Sequence, residues 1–432
     1  MKERPPRPPS SDTPPEEGNS KVEGYSLFGV TKNCNAQNPP PAEGWIPQSG
    51  RRGGQVPTQL MKTIVILSPD TWGRMMLSKM HFAKELAKEG NQAFFINPPR
   101  KNLSDGKAKK IENNLTVISL KEHPLRIFAR EKCRPLYRWI ERKFIREILR
   151  ATGHIDELWC FNAFFISDLK FFGADKTLLF VYDLYVPENL HKAALQADGI
   201  VSIAQEILNE FKETGKPQLL IHHGLSPAFQ KMAESGFTTF VRRGKIKVGY
   251  TGNLMRQGID REIFRKIIST HPDLEFHFWG ATEVAENNLM TNTPSGDVTE
   301  FINFLRLQKN VFLHGVKDPE KLAKEMRGMD AFLFLYNVKQ DINAGYNSHK
   351  LMEYLATGKT VFSPYVSRFA ETGLMVMDTK EGTDFESFFD RQLPILEKYN
   401  QTALQQKRIS FALDNTYRKQ VERIREWILL QP

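Results

Sequence analysis

The chain has 432 residues, 40% of them hydrophobic and 25% charged, with a formal net charge of +10 and three cysteines. That is too long for one compact core and is the composition of an ordinary water-soluble chain, so two domains with added segments are expected. Cys34, Cys133 and Cys160 form neither metal-ligand spacing nor a disulfide framework, no apolar run reaches the ~18 residues of a membrane-spanning helix, and the N-terminus lacks the apolar core of a signal peptide; a reducing, cytoplasmic setting is expected.

Residues 1–60 hold 11 of the 25 prolines, in runs such as PPRPPS, DTPPEE and NPPPAEG. Such a segment has too little apolar surface to offset chain entropy, and it is predicted to be a disordered tail. Met61 opens MKTIVILSP, the first strand of a domain, and is a candidate native start. A helix is predicted from Met75 to Glu89, with strands at 64–67, 92–96, 115–120, 156–161, 176–182, 198–203 and 217–221. Apolar strands alternating with helices indicate a parallel sheet covered on both faces. This first domain spans 61–227.

The next stretch, 228–244, has no strand signal, ends in Arg242-Arg243-Gly244 and reads as a linker. A second alternating series then follows, with strands at 246–252, 274–280, 310–315, 330–336, 359–364 and 374–378, giving a second domain over 245–410. The segment 411–432 carries a helix from about Asn415 to Leu430, expected to return to the first domain. The fold class is therefore α/β, two Rossmann-like doubly wound domains facing across a cleft. Ligands are expected at the carboxyl ends of the strands, between the two halves.

Residues 121–150 carry ten Lys or Arg against four Asp or Glu, a net +6. Arg134, Arg138, Arg142, Arg146 and Arg150 recur every four residues. Leu136, Ile140, Phe144 and Ile148 do the same two residues out of phase, which is about 200° around a helix. A basic face opposite an apolar one suits contact with an anionic membrane. It equally suits a domain helix whose apolar row faces the core. Nucleic acid fits less well, since no reading helix, zinc spacing or aromatic-interleaved basic strand is present.

The most informative stretch is YNSHKLMEYLATGKTVFSP, residues 346–364. Asn347 or Ser348 can cap a helix starting near His349. Free N–H groups and the dipole at that start suit a diphosphate. Lys350 adds a full charge there, and Glu353 lies one turn on, placed to accept two hydrogen bonds from a ribose diol. The competing reading is a surface Lys–Glu pair. Glycines after a strand in GYTGNLMRQG (249–258), notably Gly252 beside Asn253, allow backbone amides to approach a phosphate. Arg256 is a candidate clamp or an exposed loop arginine. In SPDTWGR (68–74), Gly73 loosens a loop in which Trp72 could stack on a sugar and Arg74 meet a phosphate, or which is a plain loop. Asp183 stands at a strand end as an acceptor contact or a turn aspartate. His81 reads as a partly buried surface histidine, and the His222-His223 doublet lacks a third metal ligand.

In order, GYTGN, HFWG, NVFLHG, DPEKLAKEMRGMDAFLFLY and NSHKLMEYLATGKTVFSP resemble the nucleotide-sugar-binding half of GT-B glycosyltransferases, nearest to glycosyltransferase family 4 and related surface-polysaccharide enzymes. SPDTWGRMMLSKMHFAKELAKEG and FFINPP resemble that group's acceptor domain. The resemblance implies transfer of a sugar from a nucleoside diphosphate sugar to an acceptor hydroxyl, with retention and without a metal or other cofactor. The acceptor would be a sugar or a lipid-linked sugar, met in the cytoplasm at the inner face of the membrane. These residue patterns and the resemblance together give catalytic roles to Asp183, Arg256 and Lys350, donor binding to Gly252, Asn253, Asn347, Ser348, His349 and Glu353, and an acceptor side at Trp72, Gly73 and Arg74. The resemblance itself implies the ribose role of Glu353 and an acidic residue near Asp183. The chain departs from the family where a first glutamate is usual, since that position is Gly345, and where the family's diphosphate-binding arginine and lysine are usual, since Asn253 and Gln257 stand near those positions with Arg256 between. A sugar-nucleotide epimerase of the same plan, and an inactive binding module, are the alternatives.

Overall fold

A computed structural model describes residues 61–431, apart from 74–75, 102–106, 162, 164, 184–186, 237–243, 284–295, 338–346 and 383. The proline-rich tail, Arg74, Gly345, Tyr346 and the Arg242-Arg243 pair therefore lie outside the described residues.

Two sheets form where the apolar runs alternate with helices. The first comprises β1 (Thr63–Leu67), β2 (Gln92–Ile96), β3 (Lys107–Glu112), β4 (Leu115–Ser119), β5 (Glu157–Phe161), β6 (Lys176–Val181), β7 (Gly199–Ser202) and β8 (Gln218–Leu220), in the order β3-β4-β2-β1-β5-β6-β7-β8. Every pairing is parallel except β3 with β4. The central strands are buried on both faces, β5 and β7 throughout, as expected when helices cover a parallel sheet. Strand β3, sequence KAKKIE, was not expected. It is a charged edge strand, and charge there discourages pairing with another chain.

The second sheet comprises β9 (Lys247–Thr251), β10 (Glu275–Trp279), β11 (Val311–Gly315), β12 (Ala331–Leu333), β13 (Thr360–Ser363) and β14 (Val376–Met377), all parallel, in the order β11-β10-β9-β12-β13-β14. Renumbered from its own start this is 3-2-1-4-5-6, the dinucleotide-binding order, which reverses between β9 and β12. The run DAFLFLY was expected to be strand throughout, but the ladder ends at Leu333. Beyond it Phe334 still donates to Phe362 O (2.9 Å), and Tyr336 bridges antiparallel to Ile259. That turn aims the Tyr336 side chain toward the end of β9.

The stretch read as a linker opens with a helix, Pro227–Glu234, whose Phe229, Met232 and Ala233 enter the core of the second half. The last helix, Tyr417–Leu429, is capped by Thr416, whose Oγ1 accepts from Lys419 N (3.2 Å). Its Val421 and Ile424 join the first half's core around Phe82 and Trp159. Arg425 bonds the buried Glu157 carboxylate, which also accepts from Lys62 Nζ (2.9 Å) and Trp159 Nε1 (3.0 Å). These donors outweigh the effect of burial and hold Glu157 below its usual range.

The Trp427 ring points its tip at Gly199 of β7, where an added Cβ would fall 2.3 Å from Trp427 Cη2. Gly199→Ala is expected to lift the terminal helix and cost about 1–2 kcal/mol, the range for overpacking a core contact. Urea unfolding checks this, and an unchanged midpoint refutes it.

In the helix Arg134–Thr152 the apolar row faces inward: Ile140, Phe144 and Ile148 are buried and Leu136 packs on the same core. All five arginines of the other row are exposed. The apolar row thus belongs to the domain core.

Candidate functional site

The reversal between β9 and β12 leaves a crevice at the carboxyl ends of the second sheet. Thr251-Gly252-Asn253 end β9, Tyr336 lies past β12, and the helix His349–Ala356 runs between β12 and β13. Gly252 (φ +143°) and Gly280 (φ +151°) both occupy backbone space that side-chain-bearing residues rarely enter. A Cβ on Gly280 would meet Gly252 O at 1.7 Å, and one on Gly252 would meet Lys350 Nζ at 2.2 Å. Gly252 N donates to Trp279 O (2.8 Å). The two glycines thus let the loops after β9 and β10 pack backbone against backbone, with the lysine over the first.

Lys350 is buried, not a surface residue. Its ammonium donates to Tyr336 Oη and sits 4.9 Å from the Tyr336 ring centroid and 5.4 Å from that of Tyr250. The two phenols touch (3.3 Å). Arg256 stacks over the outer side of Tyr336, 5.7 Å from its centroid. Burial raises the Tyr336 hydroxyl, but Lys350, the two hydrogen bonds and Arg256 outweigh it and leave the group below the usual phenol range. Two cations and two phenols therefore line one wall. The loop carrying Asn253 is held by its own Oδ1, which accepts from Met255 N (3.0 Å).

Ser348 occupies the N-cap position with extended backbone and makes no side-chain cap bond. Asn347 does not cap either. It is buried, and its Nδ2 donates to Ile203 O (3.1 Å) just past β7, so its side chain ties the two halves together. The sequence reading of Asn347 as a cap is corrected here. Among the described residues no side-chain oxygen is bonded to the first turn; Leu351 N donates to Ser348 O (3.0 Å), and the His349 and Lys350 N–H groups remain available to an anion.

Glu353, one turn on, is half-buried and has no hydrogen-bond or ion-pair partner among the described residues. Burial pushes its carboxyl up to about 7, with Lys350 pulling in the opposite direction. The expected alternative, a surface Lys–Glu pair, is not what forms. His349 is exposed at the start of the helix. Its ring lies 6.0 Å from that of His223, from the first half. The surrounding protein, then His223, Lys350, Arg256 and His81, hold its imidazolium well below the usual range.

Across the cleft, Asp183 is half-buried just past β6. Tyr182 beside it turns inward against His223 (5.4 Å), and Tyr182 Oη and His223 Nδ1 are both buried without a hydrogen-bond partner among the described residues. His81 stacks on Tyr417 (4.5 Å, 16°). Trp72 is half-buried, forms a T-shaped pair with Phe95 (5.0 Å, 79°), and its backbone N–H donates to Asn97 Oδ1 (2.8 Å). Gly73 is exposed. Tyr250, Tyr336, His81 and His223 were missed as site residues. The two tyrosines sit near the ends of apolar strand runs and read as core filler. Among the described residues, His154, Asp156 and Asp175 could gather around a cation, but they stand at the opposite, amino ends of β5 and β6, and Asp156 already accepts from Thr63 N (2.6 Å).

No protein-family model matches the sequence, and no curated protein matches it. Solved structures do match. One is described as trehalose-6-phosphate from E. coli bound with UDP-2-fluoro glucose, at TM-score 0.63 and 10% identity, covering 84% of this chain and 98% of that one. A sucrose-phosphate synthase from Thermosynechococcus elongatus matches at 0.62 and 12%, covering 85% and 99%. An alpha,alpha-trehalose 6-phosphate synthase from Burkholderia multivorans matches at 0.60 and 11%, covering 86% and 99%. Identity this low speaks for the fold alone. That fold is GT-B, two Rossmann-like domains facing across a cleft, as the resemblance of the sequence implied.

Proposed function

We propose that the protein is a glycosyltransferase that moves a sugar from a nucleoside diphosphate sugar to an acceptor hydroxyl with retention. The bond from the anomeric carbon to the diphosphate oxygen breaks, a bond to the acceptor oxygen forms, and the acceptor proton leaves with the diphosphate. The observation that carries this reading is Lys350 held over Gly252 at the strand reversal, beside an uncapped helix start. Lys350, Arg256 and the helix N–H groups stabilise charge on the departing diphosphate, the effect most useful in such a transfer. Glu353 accepts from the ribose hydroxyls, His349 and Ser348 border the donor, and Asp183 contacts the acceptor. A solved structure of the same fold, described as holding UDP-2-fluoro glucose, and a second, described as concerning glycosyl transfer with retention, support this reading.

The acceptor in this reading is a sugar or a lipid-linked sugar, met against an anionic membrane from the cytoplasmic side; the exposed arginine row supports that membrane contact. Thermal shift with UDP, GDP, ADP and TDP is the test. One nucleoside diphosphate should raise the melting temperature, since a ligand that binds only the native state stabilises it, and its sugar ester should be consumed only when an acceptor is present. A new sugar nucleotide formed from donor alone would assign an epimerase, and binding without turnover an inactive module.

A further inference from the structure

We infer that the protein docks on anionic lipid bilayers through an apolar wedge, Leu125, Ile127, Phe128 and Trp139, set beside the arginine row. The inference rests on the membrane contact proposed above and adds a mode of attachment: insertion of side chains below the headgroups, beyond attraction at the surface.

The wedge is a product of folding. Leu125, Ile127 and Phe128 open the short helix Arg126–Lys132, and Trp139 is one turn into the next. All four are between 46% and 57% exposed, while Ala129 and Ile140 beside them are fully buried. The short helix thus spends a single alanine on the core and turns its large apolar residues outward. His123 touches Trp139 edge-on (5.8 Å), which joins the two apolar pieces into one surface. Trp139 also belongs to a shallow hollow of about 600 Å³ lined with Arg134, Arg138, Arg142 and Arg146. Apolar tip and basic rim are therefore contiguous.

Charge selects the partner. Of the four acidic residues in this stretch, Glu141 is buried and accepts from Ser167 N (2.7 Å) and Oγ (3.0 Å), Glu122 is bonded to Arg126 (2.8 Å), Glu131 is exposed beside Arg130 (3.8 Å) and Glu147 is half-buried. With Asp168 paired to Arg142 (3.4 Å), the outward face keeps an excess of positive charge. Arg142 and Arg146 rest on the Phe171 ring (4.9 and 5.5 Å), which holds their guanidinium groups in place along the rim. A strongly hydrated acidic protein surface would gain little from exposed Trp, Phe and Ile side chains. A bilayer interface takes both parts: phosphates meet arginine, and the aromatic and branched side chains enter the acyl boundary.

The test uses the full chain and vesicles of phosphatidylserine with phosphatidylcholine, against phosphatidylcholine alone. The intact protein should sediment with the anionic vesicles, and brominated lipid should quench part of its tryptophan fluorescence. Trp139→Phe should keep binding and lose that quenching. Ile127→Ser with Phe128→Ser should weaken binding about tenfold, as expected for withholding two large side chains from the acyl region, with thermal midpoint and nucleotide response unchanged. Normal binding by that double variant, together with no quenching in the intact protein, overturns the wedge and leaves the arginine contact standing. No binding by the intact protein overturns both. Neither result touches the transferase reading, which the nucleotide screen tests separately.

Discussion

Lys350→Met is expected to cost about 100- to 1,000-fold in donor affinity or turnover while leaving the thermal midpoint level or higher. The magnitude is that of removing one preorganised charge from a transition-state site. Methionine keeps the length of the side chain and its fit between Tyr250 and Tyr336, so the variant isolates the charge. In the empty protein that charge is held against two phenols and a backbone glycine, with no carboxylate bonded to it among the described residues. Burying a cation without an anion is costly, so its loss should not harm the fold. Calorimetry with the nucleoside diphosphate checks the first half and thermal denaturation the second. Lost affinity accompanied by a collapsed fold would remove the assignment.

Glu353→Gln should separate stability from binding in a pH-dependent way. The unfolded chain ionises this carboxyl near 4.5, and the native state near 7. Between those values the native state holds a proton that the unfolded chain has released. Native stability therefore falls as pH rises across that window and is level above it. Glutamine cannot ionise, so the variant should lose this slope and be the more stable protein at pH above 7. Ribose binding runs the other way. A carboxylate accepts two hydroxyl bonds and a carboxylic acid does so poorly, so affinity should rise as pH passes about 7 in the parent and stay flat in the variant. At alkaline pH the variant should bind about 1.5–3 kcal/mol less tightly, the worth of hydrogen bonds to a charged group. Equal affinities there would take Glu353 out of the site.

Much of this architecture is legible in the sequence because buried parallel strands are nearly continuous apolar runs, and TIVIL, ELWCF and LLFV announce themselves. Strand KAKKIE does not, since its pairing with β4 is set by a hairpin at the sheet edge and not by burial. The helix at 349–356 was legible from its period and the following glycine. What surrounds Lys350 was not: Tyr250 comes from β9 and Tyr336 from the segment past β12, and only the sheet order brings them to it. The same holds for Asn347, whose partner Ile203 is in the other half, and for Trp72, whose contact with Phe95 depends on how the loop after β1 folds back. Local pattern fixes elements, while the contacts that join distant segments depend on topology.

The terminal helix has one more consequence. The backbone passes between the two halves twice, near residue 225 and near 416. There the passages run side by side, with Leu225 N on Asn415 O (2.7 Å) and a parallel bridge from Leu225 to Thr416. One hydrogen bond and one bridge tie the two passages into a single narrow seam. Opening of the crevice would then be a jaw-like rotation about this seam. The Asn347–Ile203 contact is positioned to act as its latch, and cutting the chain after residue 413 would turn a single-axis jaw into a loose tether.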